Sequence, residues 1–288
     1  MSTSTMLPSR SNVQGCIRMS NSNDTSVRKT VIFTIMLLLT CASCTFRQQP
    51  SPTTGSATKD TFAIKRFDRL EIKFLTTGDF SALHDMSTTY PTQTRNLIEE
   101  VLRIGRVDAP DITTRFIQYF KEPALQRLMK DVQKQYSDMR NIEAEIGLTF
   151  SALMKLLPGV EIPYIYTQVG ALDQSIIVDG NTMGISLDKY MGSGYPLYLK
   201  YYTPEERKTM TSRYIAADCV SAYLLNRYPM PTYYKTQALI DHHYGKIQWI
   251  VNQVLSQPVY HSDQVDAIDQ VMKTQDIKPE DLLKRPLI

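Results

Sequence analysis

The sequence predicts an α+β fold, mainly helical, with a small antiparallel sheet around residues 162–188. Apolar residues recur three or four apart from Pro91 to Leu157, the spacing that lines one face of a helix. Two short β-rich runs then flank Asp179-Gly180-Asn181, a strong turn signal. Helical spacing returns after Thr203-Pro204 and continues to Pro258.

The elements follow in chain order. An extended start at Phe62 and Ile64 becomes ambiguous through Leu75. TQTRNLIEEVLRIG, EPALQRLMKDVQ and DMRNIEAEIGLTFSALMKLLP each read as helix. In the last, Met139, Ile142, Ile146, Phe150, Leu153 and Leu157 draw one face before Pro158 stops it. Pro163 to Val169, Ser175 to Val178 and Met183 to Leu187 read as strands that pack against helices. Thr203-Pro204-Glu205-Glu206 places a cap residue, a proline at the first helical position and an acid at the third. Helices are expected again from Met210 to Leu225 and from Thr236 to Leu255. The polar tail from Tyr260 holds one more short helix near Pro279. No internal repeat and no glycine-rich phosphate loop is found.

The chain has 288 residues and a formal net charge of +3, and the excess sits at its start. The first 43 residues carry Arg10, Arg18, Arg28 and Lys29 against the single acid Asp24. The remaining 245 residues balance at 28 basic and 28 acidic. That even balance gives no sign in the sequence of a concentrated positive face on the body, which argues against nucleic acid as a partner.

Arg28-Lys29 precede the apolar run Val31 to Leu39, the arrangement of a secretory signal. Nine residues are too few to span a bilayer, which takes about 20. Ala42-Ser43-Cys44 adds small residues before a cysteine, the pattern of a bacterial lipoprotein signal. Residues 1–43 are therefore expected to be removed and Cys44 to carry lipid. Two or more acyl chains hold a protein firmly, since each buried methylene contributes about 0.8 kcal/mol. Counted from Met1 the leader is long, and Met19 offers an alternative start with 25 residues before Cys44. Residues 44–60, rich in Thr, Ser and Pro, form a flexible tether to a single domain at 61–288. Once the leader is gone only Cys44 and Cys219 remain, so a lipidated Cys44 leaves no intrachain disulfide and no four-thiolate metal site.

Catalytic motifs are missing. The only histidines are His84, His242, His243 and His261, and no HExxH occurs. His242 and His243 point about 100° apart on a helix, awkward for sharing an ion even with Asp241 beside them. Asp218 interrupts an apolar helix, and Arg213 is its nearest candidate partner in sequence. Cys219 has no activating histidine nearby and reads as a buried small side chain. Ser175, Ser193 and Ser221 lack a GxSxG setting. The 17 tyrosines, including Tyr164, Tyr166, Tyr190, Tyr195, Tyr198, Tyr201 and Tyr202, suit both a wet core and a partner-binding face.

Several stretches together resemble the gliding-motility lipoprotein B family (GldB) of Bacteroidetes. They are IKRFD (Ile64 to Asp68), LLPGVEIPYIY (Leu156 to Tyr166), IIVDGNTMGISLDKYMG (Ile176 to Gly192), the segment through Tyr198, Tyr202 and Pro204, RYIAADCVSAYLL (Arg213 to Leu225) and LIDHHYGKIQWIVNQVLSQP (Leu239 to Pro258). The resemblance implies a fold distantly similar to zincin metallopeptidases. Ala217, Asp218 and Ser221 would then stand where His, Glu and His are needed, a shell without zinc or turnover. The tail beyond Pro258 is shorter and less typical than in that family. The resemblance also implies association with gliding and its secretion machinery. Thr45 to Gln49 contain no acid, unlike surface-exported lipoproteins of that phylum, so the body is expected to face the periplasm.

The resulting expectation is a non-enzymatic envelope lipoprotein that needs no cofactor. It would contact the bilayer through Cys44, at the cell membrane or outer membrane, and act through envelope or motility and secretion proteins. Two rival expectations stand beside it. One is an atypical metal-dependent hydrolase with a residual cleft at Asp218, Asp241, His242 and His243. The other is a periplasmic module with a tyrosine-lined cleft for peptide or glycan.

Overall fold

A computed structural model describes residues 17–19 and 62–284 of the chain. The expected leader beyond 17–19, Cys44 and the tether at 44–60 lie outside the described residues. Helices α1 (Phe67–Thr77), α2 (Phe80–Thr89) and α3 (Pro91–Arg95) come first. A π-helical turn (Asn96–Val101) extends α3. Then follow α4 (Ile112–Tyr119), α5 (Pro123–Gln135) and α6 (Arg140–Leu156). The ambiguous stretch after Phe62 thus resolves into a helix. Its core side is Phe67, Ile72 and Phe74, while Lys65 alone keeps extended pairing.

The expected antiparallel sheet is mixed. Strands β3 (Ile176–Asp179) and β4 (Thr182–Ser186) form the antiparallel hairpin, with Asp179 opposite Thr182. Gly180 opens its two-residue loop at φ 55°, a backbone that costs a glycine little. Strand β2 (Tyr164–Gln168) instead runs parallel to β4, with Tyr166 opposite Gly184. The link from β2 to β3 leaves room for one strand, and β4 returns into that gap. On the far side of β2, Lys65 N–H donates to the Ile165 carbonyl and Thr167 N–H to the Lys65 carbonyl, both at 2.9 Å, closing that edge. β1 (Ile17–Met19) pairs in parallel with β3 and lies within the segment expected to be removed as leader.

Helix α9 (Ile215–Arg227) runs through the centre, packed on α6 and on the hairpin. Ala216, Ala217, Val220, Ala222 and Leu224 are all buried, so it is apolar on nearly every side. Phe150 of α6 meets Tyr223 edge to face at 5.6 Å. The short helices α7 (Tyr198–Tyr201) and α8 (Pro204–Arg207) precede it, and α8 has the full capping box predicted at Thr203 and Glu206.

Helix α10 (Gln237–Val254) begins at the Thr236 cap. The tail is more helical than expected: α11 (Asp263–Thr274) precedes α12 (Pro279–Lys284). Its pattern is weak in isolation, because only Val265 and Ile268 are buried along it. It docks on α10 where Gly245 has no side chain, as a Cβ there would lie 2.9 Å from Gln264. Trp249 Nε1 donates to Asp269 across the same contact at 3.1 Å.

Candidate functional site

Asp218 lies in the first turns of α9, partly buried. Its Oδ2 accepts the Tyr190 hydroxyl at 2.8 Å and its Oδ1 accepts the Tyr260 hydroxyl at 3.1 Å. Ser221, almost one turn on, sits 3.2 Å from the same Tyr260 hydroxyl. Arg213, the partner expected from sequence, is exposed and does not pair with it. Proximity in sequence misled here, since the short 3-10 turn before α9 carries Arg213 outward.

Both tyrosines are held by the backbone around them. Tyr190 ends a 3-10 turn after β4, and its carbonyl accepts the Tyr136 hydroxyl at 2.5 Å and Gln135 Nε2 at 3.2 Å from α5. Tyr260 is set by Asn252 of α10. The Asn252 side-chain Oδ1 accepts the N–H groups of Val259 and Tyr260, each at 3.1 Å, and its Nδ2 donates to the Tyr260 carbonyl at 2.7 Å. Burial pushes the Asp218 carboxyl up to about 6; the hydroxyls of Tyr190 and Tyr260 and the charge of Lys189 hold it from rising further. Burial, then the Asp218 charge, keeps the Tyr260 phenol well above its ordinary value. The cluster is a neutral-donor cage around one acid. Both carboxylate oxygens are already engaged.

The other predicted residues sit apart from this cage in their bonding. Asp241 accepts from Gln237 on its own helix at 2.7 Å. His243 is buried, with its ring edge-on to Tyr234 at 6.2 Å. Burial, then Lys246, pushes its imidazole down to about 4. His242 is lowered by the same two causes. The Nε2 atoms of both histidines lack a hydrogen-bond partner. Among the described residues, no group of three or more His, Cys, Asp or Glu side chains is placed to hold an ion. Cys219 is fully buried, and burial followed by the Asp218 charge drives its thiol well up, in keeping with a small packed side chain.

A second polar cluster was not anticipated. Asp68 and Glu71, one turn apart on α1, and Asp188 after β4 are all buried. Together they grip the chain as it leaves β2. Asp68 accepts the Thr167 hydroxyl and a two-pronged contact from Arg66 at 2.8 and 2.7 Å. Glu71 accepts the Val169 N–H at 2.8 Å. Asp188 accepts the N–H groups of Gly170 at 2.7 Å and Leu172 at 2.5 Å. Ala171 and Leu172 hold left-handed φ values of 50° and 70°, so Asp188 stabilises a costly turn. Burial raises the carboxyls of Glu71 and Asp188, against the pull of those N–H groups. The available signal was acids at helical spacing inside FDRLEIKFL.

The tyrosines divide between core and surface. Tyr136, Tyr166, Tyr190 and Tyr198 are fully buried, whereas Tyr164, Tyr201 and Tyr233 are exposed. The result is a helical α+β body whose inward acids and tyrosines bind its own segments together. Residues 48–263, three quarters of the chain, match the family model of gliding motility protein GldB. No curated protein and no solved structure matches the chain. The protein belongs to the GldB family of gliding-motility-associated lipoproteins. Neither an HExxH nor a GxSxG motif occurs in the sequence. No helix among the described residues is long and apolar enough to cross a membrane.

Proposed function

We propose that this protein is a lipid-anchored component of the cell envelope that acts by protein–protein contact within gliding-associated machinery. The family match carries the reading. The segment before the body supports it, with a basic patch, nine apolar residues and Ala42-Ser43-Cys44. On this reading residues 1–43 are removed, Cys44 is acylated, and 44–60 tether the body on the periplasmic side. The rival reading of an atypical hydrolase has less support, since Asp218 is bonded to Tyr190 and Tyr260 while Asp241 bonds to Gln237 on its own helix, and neither bonds to His242 or His243. The zincin likeness plays no part in this reading.

The test is replacement of Cys44 by Ala. Membrane retention and palmitate incorporation should both be lost. A variant that stays on membranes and still labels would overturn the anchor assignment.

A further inference from the structure

A cleft of about 260 Å³ opens between α5 and the chain entering α7. Pro123 and Ala124 form one apolar wall, Pro196 and Leu197 the other. The Tyr195 hydroxyl donates to Asp131, the one acid of the lining, at 2.9 Å across it, which ties the walls together. Arg127 and Lys200 stand at the rim, both exposed.

The charge around this cleft is unbalanced. Arg127, Asp131 and Lys134 are four and seven residues along α5 and share a face with Lys130. Arg127, Lys130, Lys134 and Lys200 are all exposed, and none joins an ion pair among the described residues. Four exposed cations against the single acid Asp131, beside an apolar hollow, favour a ligand that brings both negative charge and an apolar side chain. Leu199 and Tyr201, on either side of Lys200 in the chain, are exposed as well.

We propose that this cleft docks an acidic peptide segment of a partner protein, with a bulky apolar side chain of the segment seated between Ala124 and Leu197. The inference rests on the reading that the protein works by protein contact, and it names the surface and the chemistry of the partner. A concave apolar hollow favours an inserted side chain over a flat bilayer surface.

The acylated full chain in phosphatidylcholine vesicles should bind a fluorescein-labelled peptide of alternating Asp and Phe, and not its counterpart with Lys for Asp. Arg127→Glu with Lys200→Glu should weaken binding about tenfold or more. Ala124→Leu, which fills the hollow and leaves the charges, should weaken it as well. Unchanged melting would show that these surface variants fold. Equal binding of both peptides, or indifference to all three substitutions, would overturn the site. So would phosphatidylglycerol vesicles shielding Lys130 and Lys134 from trypsin with no peptide bound, which points to a bilayer surface. If envelope proteins copurify equally with wild type and the double-charge variant, and the peptide does not bind, the cleft is wrong and the contact reading stands. If none copurifies at all, that reading fails.

Discussion

The Tyr190 hydroxyl and Asp218 Oδ2 meet at 2.8 Å although 28 residues separate them. Tyr190 follows the hairpin and Asp218 lies on the central helix, so the bond joins sheet to helix core. Tyr260 brings the tail to the same carboxylate. Three distant segments therefore depend on one acid, whose carboxyl burial raises to about 6.

That raised value has a definite sign. Between pH about 4 and 6 the folded protein holds the Asp218 proton more tightly than the unfolded chain does, so its contribution falls as pH rises through that window and is level above it. The size is about 3 kcal/mol. Asp218→Asn should flatten this part of the profile while keeping hydrogen bonds to both hydroxyls. Chemical denaturation of both proteins from pH 4 to 7 checks it. A parallel pair of profiles would refute the assignment of that slope to Asp218.

Asp188 makes a stronger demand on stability. Its removal leaves the N–H groups of Gly170 and Leu172 buried without their acceptor, beside two residues with left-handed backbone. Asp188→Ala should cost about 2–5 kcal/mol in urea unfolding. Asp173→Ala, which loses only a 3.4 Å surface pair with Arg103, should change stability by less than about 1 kcal/mol.

Gly184 marks a close crossing in the sheet. A Cβ there would lie 2.7 Å from the ring of Tyr166, its partner across β2 and β4. Gly184→Ala should destabilise by about 1–3 kcal/mol, because Tyr166 is buried and has little room to move. Tyr166→Leu opens that space. In the Tyr166→Leu background the alanine should cost much less, and an unchanged cost in this double-mutant cycle would sink the explanation.

The candidate site was only partly legible. Asp218 stands out in sequence because an acid in an apolar helix needs a partner, but the partners were not readable. Tyr190 and Tyr260 are two among 17 tyrosines, and nothing local separates them from Tyr201 or Tyr233, which face solvent. Asn252, which orients Tyr260, lies eight residues away around a turn whose path the sequence does not state. Asp68, Glu71 and Asp188 went unread for a related reason: burial of an acid depends on which loop arrives to supply N–H groups.

Local chemistry decided what could be read directly. The face Ile146, Phe150 and Leu153 of α6, the capping box at Thr203 and Glu206 and the turn at Gly180 each depend on residues within a few positions of one another. Tertiary contact decided the rest. The parallel placement of β2 beside β4, the docking of α11 on Gly245 and the choice of tyrosines over Arg213 for Asp218 all involve segments far apart in the chain. Side-chain spacing sets the face a segment buries. Which segment covers that face, and which hydroxyl reaches a buried charge, follows from the path of the whole chain.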